Sequence, residues 1–132
     1  MTGGCLCGAI TWATDADLRD ILECHCIRCQ RFTGNHMAAT AVATAALSID
    51  GDDLRWYSPT DDPNIAYGFC AACGSSLFYR NGIADGSNVD TSICAGSIDG
   101  PSRLGTSAVW FAADAADHVR LQPDVPTFPG QP

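Results

Sequence analysis

The chain has 132 residues, enough for one domain (1–132) that buries roughly two-thirds of its unfolded surface. Fifteen acidic residues against seven basic ones leave a formal charge of −8, which argues against long-range attraction to nucleic acid or anionic lipid. No apolar run has the length of a membrane span, and "MTGGCLCGAI" lacks the regions of a secretory signal, so no membrane association and a cytoplasmic setting are expected.

Taken in chain order, short runs with β-branched or aromatic residues alternate with Gly, Pro, Asp and Asn. The strand candidates are "AITWAT", "DILECH", "MAATAVAT", "LRWYS", "IAYGFC", "SLFYR", "TSICAGSI", "AVWFA" and "HVRL". Turn signals fall at "DGDD" (50–53), "SPTDDPN" (58–64), "NGIADGSN" (81–88) and "DGP" (99–101). This pattern predicts a mainly β, mostly antiparallel protein. One short helix is expected from Ile27, ending at Gly34 as a left-handed cap. Ala38 to Ala46 has helical propensity, but Thr40, Val42 and Thr44 alternate with alanines and favour a strand. Ala112 to Ala116 is helical by propensity alone. The proline-rich tail, 122–132, reads as an extended strap over the body, pinned by Phe128.

The chemistry is concentrated in the cysteines, of which there are eight. A disulfide framework is the alternative in so short a chain, but in a reducing compartment clustered thiols point to metal ligation. "GGCLCGA" carries Cys5 and Cys7, and "FCAACGS" carries Cys70 and Cys73. Zinc–sulfur bonds of about 2.3 Å put neighbouring sulfurs roughly 3.7 Å apart in a tetrahedron. A C-x-x-C-G turn aims two sulfurs inward, and Gly3, Gly4 and Gly8 let the first pair curl around the same ion. Two pairs distant in sequence then form one four-cysteine site. Two small hydrophobes near a terminus would be the simpler reading of Cys5 and Cys7, but it leaves the flanking glycines unexplained.

The stretch "CHCIRCQRFTG" (24–34) supplies Cys24, Cys26 and Cys29. In extended chain Cys24 and Cys26 face one side and His25 the other, while Cys29 joins them from the first helical turn. Amide dipoles at the helix start favour thiolate there. Three protein ligands with an open fourth position mark a reactive zinc centre, whereas a fourth ligand would close it. Cys94, His36 and His118 are the candidates for that fourth ligand; Cys94 otherwise reads as a core residue of its strand. Arg28 and Arg31 are the basic residues near these thiols, suited either to a substrate carboxylate or to plain surface charge.

The ordered set "GGCLCGAITW", "CHCIRCQRFTG", "FCAACGSSLF" and "AGSIDGP" resembles the glutathione-dependent formaldehyde-activating enzyme family, which includes centromere protein V. The resemblance spans residues 3 to about 101. It implies a β-tent fold of antiparallel sheets stabilised by zinc, and two zinc ions per chain. Cys5, Cys7, Cys70 and Cys73 match the structural site, and Cys24, Cys26 and Cys29 match a second, catalytic site. The chain departs from the family pattern in four places. Gln30 and Arg31 stand where two arginines are common, Asn35 where serine is common, and Ala108 and His118 where a histidine and a tryptophan are typical.

Two functions compete on these residues. The first is a carbon–sulfur lyase or synthase, with glutathione or a similar small-molecule thiol condensed with formaldehyde, or the reverse. The second is a non-catalytic zinc module for a protein partner, whose basic tail or exposed apolar helix does not appear. A thiol-redox sensor that releases zinc on mild oxidation is a third.

Overall fold

The computed structural model describes residues 1–132. It has ten strands: β1 (Thr2–Gly4), β2 (Thr11–Ala13), β3 (Ile21–Cys24), β4 (Met37–Ala43), β5 (Ser48–Asp50), β6 (Leu54–Tyr57), β7 (Ile65–Cys70), β8 (Ser76–Asn81), β9 (Asp90–Cys94) and β10 (Thr106–Trp110). The single α-helix is α1 (Ile27–Thr33). Three strands form a small sheet, β1-β2-β5, and seven form a large one, β10-β3-β4-β9-β8-β7-β6. Two sheets and one short helix give the expected mainly β architecture. No helix is long and apolar enough to cross a membrane.

Helix α1 starts and stops where its sequence directs. Cys26 is the N-cap, its sulfur accepting from the Cys29 amide, and Gly34 closes the helix at φ 83° with its amide on the Gln30 carbonyl. Of the Ala38–Ala46 stretch, the part up to Ala43 is strand, because β4 is paired on both sides, with β3 and with β9, whereas Thr44–Ala46 winds into a 3-10 turn. The side chains of β4 alternate between faces. Val42 enters one core cluster with Trp12, Leu77, Phe78 and Ile93. Met37 and Ala39 enter another with Cys29, Ile65 and Tyr67. The first cluster seats the small sheet on the large one; the second lies on the face that carries α1.

Several expectations change in detail. "TSICAGSI" stops at Cys94 because Ala95–Ser97 winds into a 3-10 turn. "AVWFA" stops at Trp110, since Phe111 takes a left-handed conformation (φ 56°) and opens a 3-10 turn over Ala112–Asp114. "HVRL" forms no strand. β1 and β5, three residues each, lie too low in apolar alternation to stand out in the sequence. β10 pairs with β3 in parallel, the exception in an otherwise antiparallel sheet.

The proline-rich strap runs along β10. Val109 donates to the Pro126 carbonyl at 2.9 Å, Phe128 donates to the Val109 carbonyl at 2.9 Å, and Ala112 donates to the Phe128 carbonyl at 3.0 Å. The strap thus satisfies groups on a sheet edge that would otherwise be open to pairing with another chain.

Gly3 and Gly4 serve packing rather than curvature. A Cβ on Gly3 would sit 2.1 Å from the Ser97 carbonyl oxygen and 2.5 Å from the Trp12 ring, and one on Gly4 would sit 2.6 Å from the Ile10 carbonyl oxygen. The Trp12 indole, 2% exposed, is fixed there by its N–H bond to Ser97 Oγ at 3.1 Å. Gly3→Ala should therefore destabilise the domain by about 1–3 kcal/mol in denaturant unfolding, the usual range for overpacking. Gly96→Ala, whose Cβ meets nothing within 4 Å, should stay within about 0.5 kcal/mol of the parent.

Candidate metal centres

The first thiol group joins two glycine-capped turns. Gly8, at φ 79°, donates to the Cys5 carbonyl at 3.1 Å; Gly74, at φ 77°, donates to the Cys70 carbonyl at 2.8 Å. Each turn needs a left-handed residue, which glycine supplies without a Cβ clash. The Ile10 amide donates to Cys5 Sγ at 3.2 Å. Ser75 ties the turns together, its Oγ accepting from the Leu6 amide at 3.0 Å and lying 3.2 Å from Cys73 Sγ.

The sulfurs of Cys5, Cys7, Cys70 and Cys73 all lie within 4.8 Å of one another. Cys5 and Cys7 are 3.6 Å apart and Cys7 and Cys70 are 3.8 Å apart, close to the roughly 3.7 Å edge of a zinc–thiolate tetrahedron. Their acidities point the same way. Hydrogen bonds from Ser75, first through its hydroxyl, bring the Cys73 thiol down to about 6. Cys7 is helped by the Ala9 amide, but the Cys5 and Cys73 sulfurs push it up to about 12. Four thiolates cannot coexist in this space without a cation, and the donor set fits zinc.

The second thiol group is built where β3 runs into α1. Cys24 ends the strand, Cys26 caps the helix, and Cys29 lies on its first turn, all three sulfurs within 4.8 Å of one another. The Cys29 amide donates to Cys26 Sγ at 3.4 Å. Thiol hydrogen bonds from Cys24 and then Cys29 draw Cys26 down to about 2, with the Cys29 and Arg28 amides adding to the effect. The reciprocal bond from Cys26 pushes Cys24 up to about 11. Cys29, flanked by Cys24 and Cys26 and buried, is held far above the ordinary thiol range. A soft divalent cation bound by the three sulfurs would displace their protons.

None of the three candidate fourth ligands belongs to this group. Cys94 packs against the second core cluster, opposite Ala39 in the ladder, and burial pushes its thiol up to about 12. His36 turns to Glu23 and His25, and His118 is exposed beside Asp117. His25 faces away from the three sulfurs, as strand alternation predicts, and is 1% exposed.

The three sulfurs open into a cavity of about 570 Å³ whose walls include Tyr67, Tyr79 and Trp110. An adjoining cavity of about 400 Å³ shares Tyr79 and Trp110 with it, so the two form one cleft. Arg28 lines the larger cavity but is already engaged, donating to Asp61 at 2.9 Å and Asp62 at 3.0 Å. Arg31 is exposed and lines neither cavity. Arg19 lines both. Its guanidinium is anchored on the Asp20 carbonyl at 2.8 Å and the Ala39 carbonyl at 3.3 Å. Burial lowers its pKa, opposed by the charges of Asp90 and Asp20. In sequence Arg19 sits in "ADLRD", five positions before Cys24 and outside the thiol motifs, and no local signal places it in the cleft.

These features, a mainly β fold with two separate thiol groups of which one faces a cleft, define a class of small cysteine-rich β domains. The chain matches the family model described as "Glutathione-dependent formaldehyde-activating enzyme" over residues 1–114, and it belongs to that family. A solved structure of a Rhodobacter sphaeroides protein is similar in fold, with a TM-score of 0.58 at 21% identity, covering 78% of this chain and 92% of that one. No curated protein matches the chain.

The two thiol groups should separate stability from reactivity. Cys73→Ser should leave the domain largely unfolded at 37 °C, because Cys73 belongs to the group that ties the N-terminus to the β7–β8 turn. Cys29→Ser should stay folded with one zinc fewer by metal analysis. Equal thermal destabilisation of both variants would show two structural sites. During graded chelation, zinc at the three-sulfur group should be lost first.

Proposed function

We propose that the chain is a zinc-dependent enzyme of carbon–sulfur chemistry, joining glutathione or a similar thiol to formaldehyde or cleaving the adduct. The observation that carries this reading is the contrast between the groups. Four sulfurs gather into one complete tetrahedral donor set, whereas three sulfurs lie together on the wall of the cleft. Cys24, Cys26 and Cys29 would hold the second of two zinc ions, which when bound supplies Lewis acidity and stabilises a substrate thiolate.

The chain's own residues perform the remaining tasks. Arg19, fixed by two backbone carbonyls, offers a charged anchor for a carboxylate of the thiol substrate. Arg28, neutralised by Asp61 and Asp62, is better suited to holding the helix against the 61–62 turn, and Arg31 lies outside the cleft. Tyr67 and Tyr79, both pushed up chiefly by burial, keep their hydroxyl protons at neutral pH and are available as donors to the carbonyl oxygen. Tyr67, Tyr79 and Trp110 line the wall and limit water around the reacting sulfur. In the synthetic direction the thiolate sulfur attacks the carbonyl carbon, an S–C bond forms, and the C=O π electrons move to oxygen, which takes up a proton. The lytic direction is the reverse.

With cobalt in place of zinc at the three-sulfur group, added glutathione should shift the visible spectrum as a fourth donor joins the ion. The zinc protein should also accelerate exchange between free and glutathione-bound formaldehyde above the uncatalysed rate, read by NMR. Arg19→Ala should raise KM for glutathione roughly tenfold while altering kcat much less, the signature of a lost ground-state anchor. A cobalt spectrum indifferent to every small thiol would overturn the enzyme reading in favour of a binding module.

A further inference from the structure

Strand β3 and the two residues after it carry a second set of donor side chains, on the side opposite Cys24 and Cys26. Glu23 and His25 alternate with those cysteines. The β3–β4 ladder pairs Leu22 with Ala39, Glu23 with Ala38 and Cys24 with Met37, and just past its end the rings of His25 and His36 stack. One donor atom each from Glu23, His25 and His36 falls within 4.8 Å of the other two.

One converging donor is plainly unsatisfied: His25 Nε2 is buried without a hydrogen-bond partner, and the other ring nitrogen of the neighbouring histidine, His36 Nδ1, is buried and unpartnered as well. His25 is 1% exposed, and its ring stacks on His36 at 4.6 Å between centroids. Both Nε2 atoms face the same carboxylate oxygen, Glu23 Oε2, at 3.9 Å from His25 and 4.0 Å from His36. These separations are too long for hydrogen bonds. They exceed by a few tenths of an ångström the roughly 3.4 Å between ligand atoms bound tetrahedrally at about 2.1 Å, a gap that small side-chain rotations close. A buried polar atom left without a partner usually marks an ion or water that belongs there.

The surroundings hold the carboxylate in position. Gln122, from the strap, donates to Glu23 Oε1 at 2.9 Å, and Thr106 donates to the same atom at 3.5 Å, leaving Oε2 to the histidines. The main chain at both histidines is also fixed. Gln30 donates to the His25 carbonyl at 2.6 Å, and Thr33 donates to the His36 carbonyl at 3.0 Å. Such second-layer bonds orient ligands in metal sites.

We propose that Glu23, His25 and His36 form a third metal site, a two-histidine, one-carboxylate set for a divalent first-row cation such as zinc or cobalt. It is distinct from both thiol groups and backs onto the three-sulfur group across β3. Its nitrogen and oxygen donors select a different chemistry from the thiolates, and three protein ligands leave positions for water. The proposal stands apart from the enzymatic reading, since it rests on ligand geometry alone.

The test is metal counting on the full chain. After zinc loading and desalting, the parent should retain three zinc ions per chain, and His36→Ala and Glu23→Gln should each retain two. In cobalt titration the equivalent lost in these variants should add weak visible bands without sulfur-to-cobalt charge transfer. Gln122→Ala, which keeps all three ligands, should weaken that equivalent by about tenfold. Folding of each variant is checked by its retention of the two thiolate-bound ions. A folded parent whose bound metal is all thiolate-ligated would overturn the proposal and leave a bridging water as the partner of the histidines. So would a third ion bound equally well by His36→Ala and Glu23→Gln.

Discussion

The convergence of four sulfurs from two distant turns is the constraint on which the rest of the molecule depends. Cys5 and Cys7 lie beside β1, and Cys70 and Cys73 lie at the β7–β8 turn, so bringing them together closes a loop of more than sixty residues. The same closure places the small sheet over the large one and lets Trp12 reach Ser97. A core of seven fully or nearly buried residues grows around that junction. Burial supplies much of the driving force for such a core, but the thiol group sets which turns meet.

The second organising feature is the double use of β3. A strand presents alternate residues to opposite faces, so "ECHC" divides into two sets of donor side chains within four positions. Cys24 and Cys26 look into the cleft, while Glu23 and His25 look the other way. Antiparallel pairing with β4 then adds Met37 opposite Cys24, and past the end of the ladder His36 stacks on His25. The parallel partner β10 brings Trp110 beside Cys24, which contributes an aromatic wall to the cleft. The strap on the outer side of β10 protects that arrangement from the solvent edge.

Charge in the cleft follows from packing rather than from nearness in sequence. Arg28 is adjacent to Cys29 in the chain, yet two aspartates from the 61–62 turn claim it. Arg19 is five positions before Cys24 and outside every motif, yet it lines both cavities because β3 and β4 carry its neighbours there. On a chain with net charge −8, an arginine held by backbone carbonyls beside the cleft is a scarce local positive charge.

The sequence by itself determined the grouping of the thiols and the local turns. C-x-x-C-G and C-x-C-G are short-range devices whose geometry is set by one glycine apiece, and the Cys26 cap and Gly34 stop are written in adjacent residues. The mainly β character was likewise legible, because short runs with β-branched and aromatic residues bounded by Gly, Pro, Asp and Asn are a local property. The short strands β1 and β5, the parallel seat of β10 and the roles of Gly3 and Arg19 were decided only by tertiary structure. Each depends on a partner tens of residues away: the Ser97 carbonyl for Gly3, the β3 edge for β10, and the Ala39 carbonyl for Arg19. A one-dimensional pattern records what a residue does to its neighbours along the chain, whereas these residues act on neighbours that exist only once the sheets have closed.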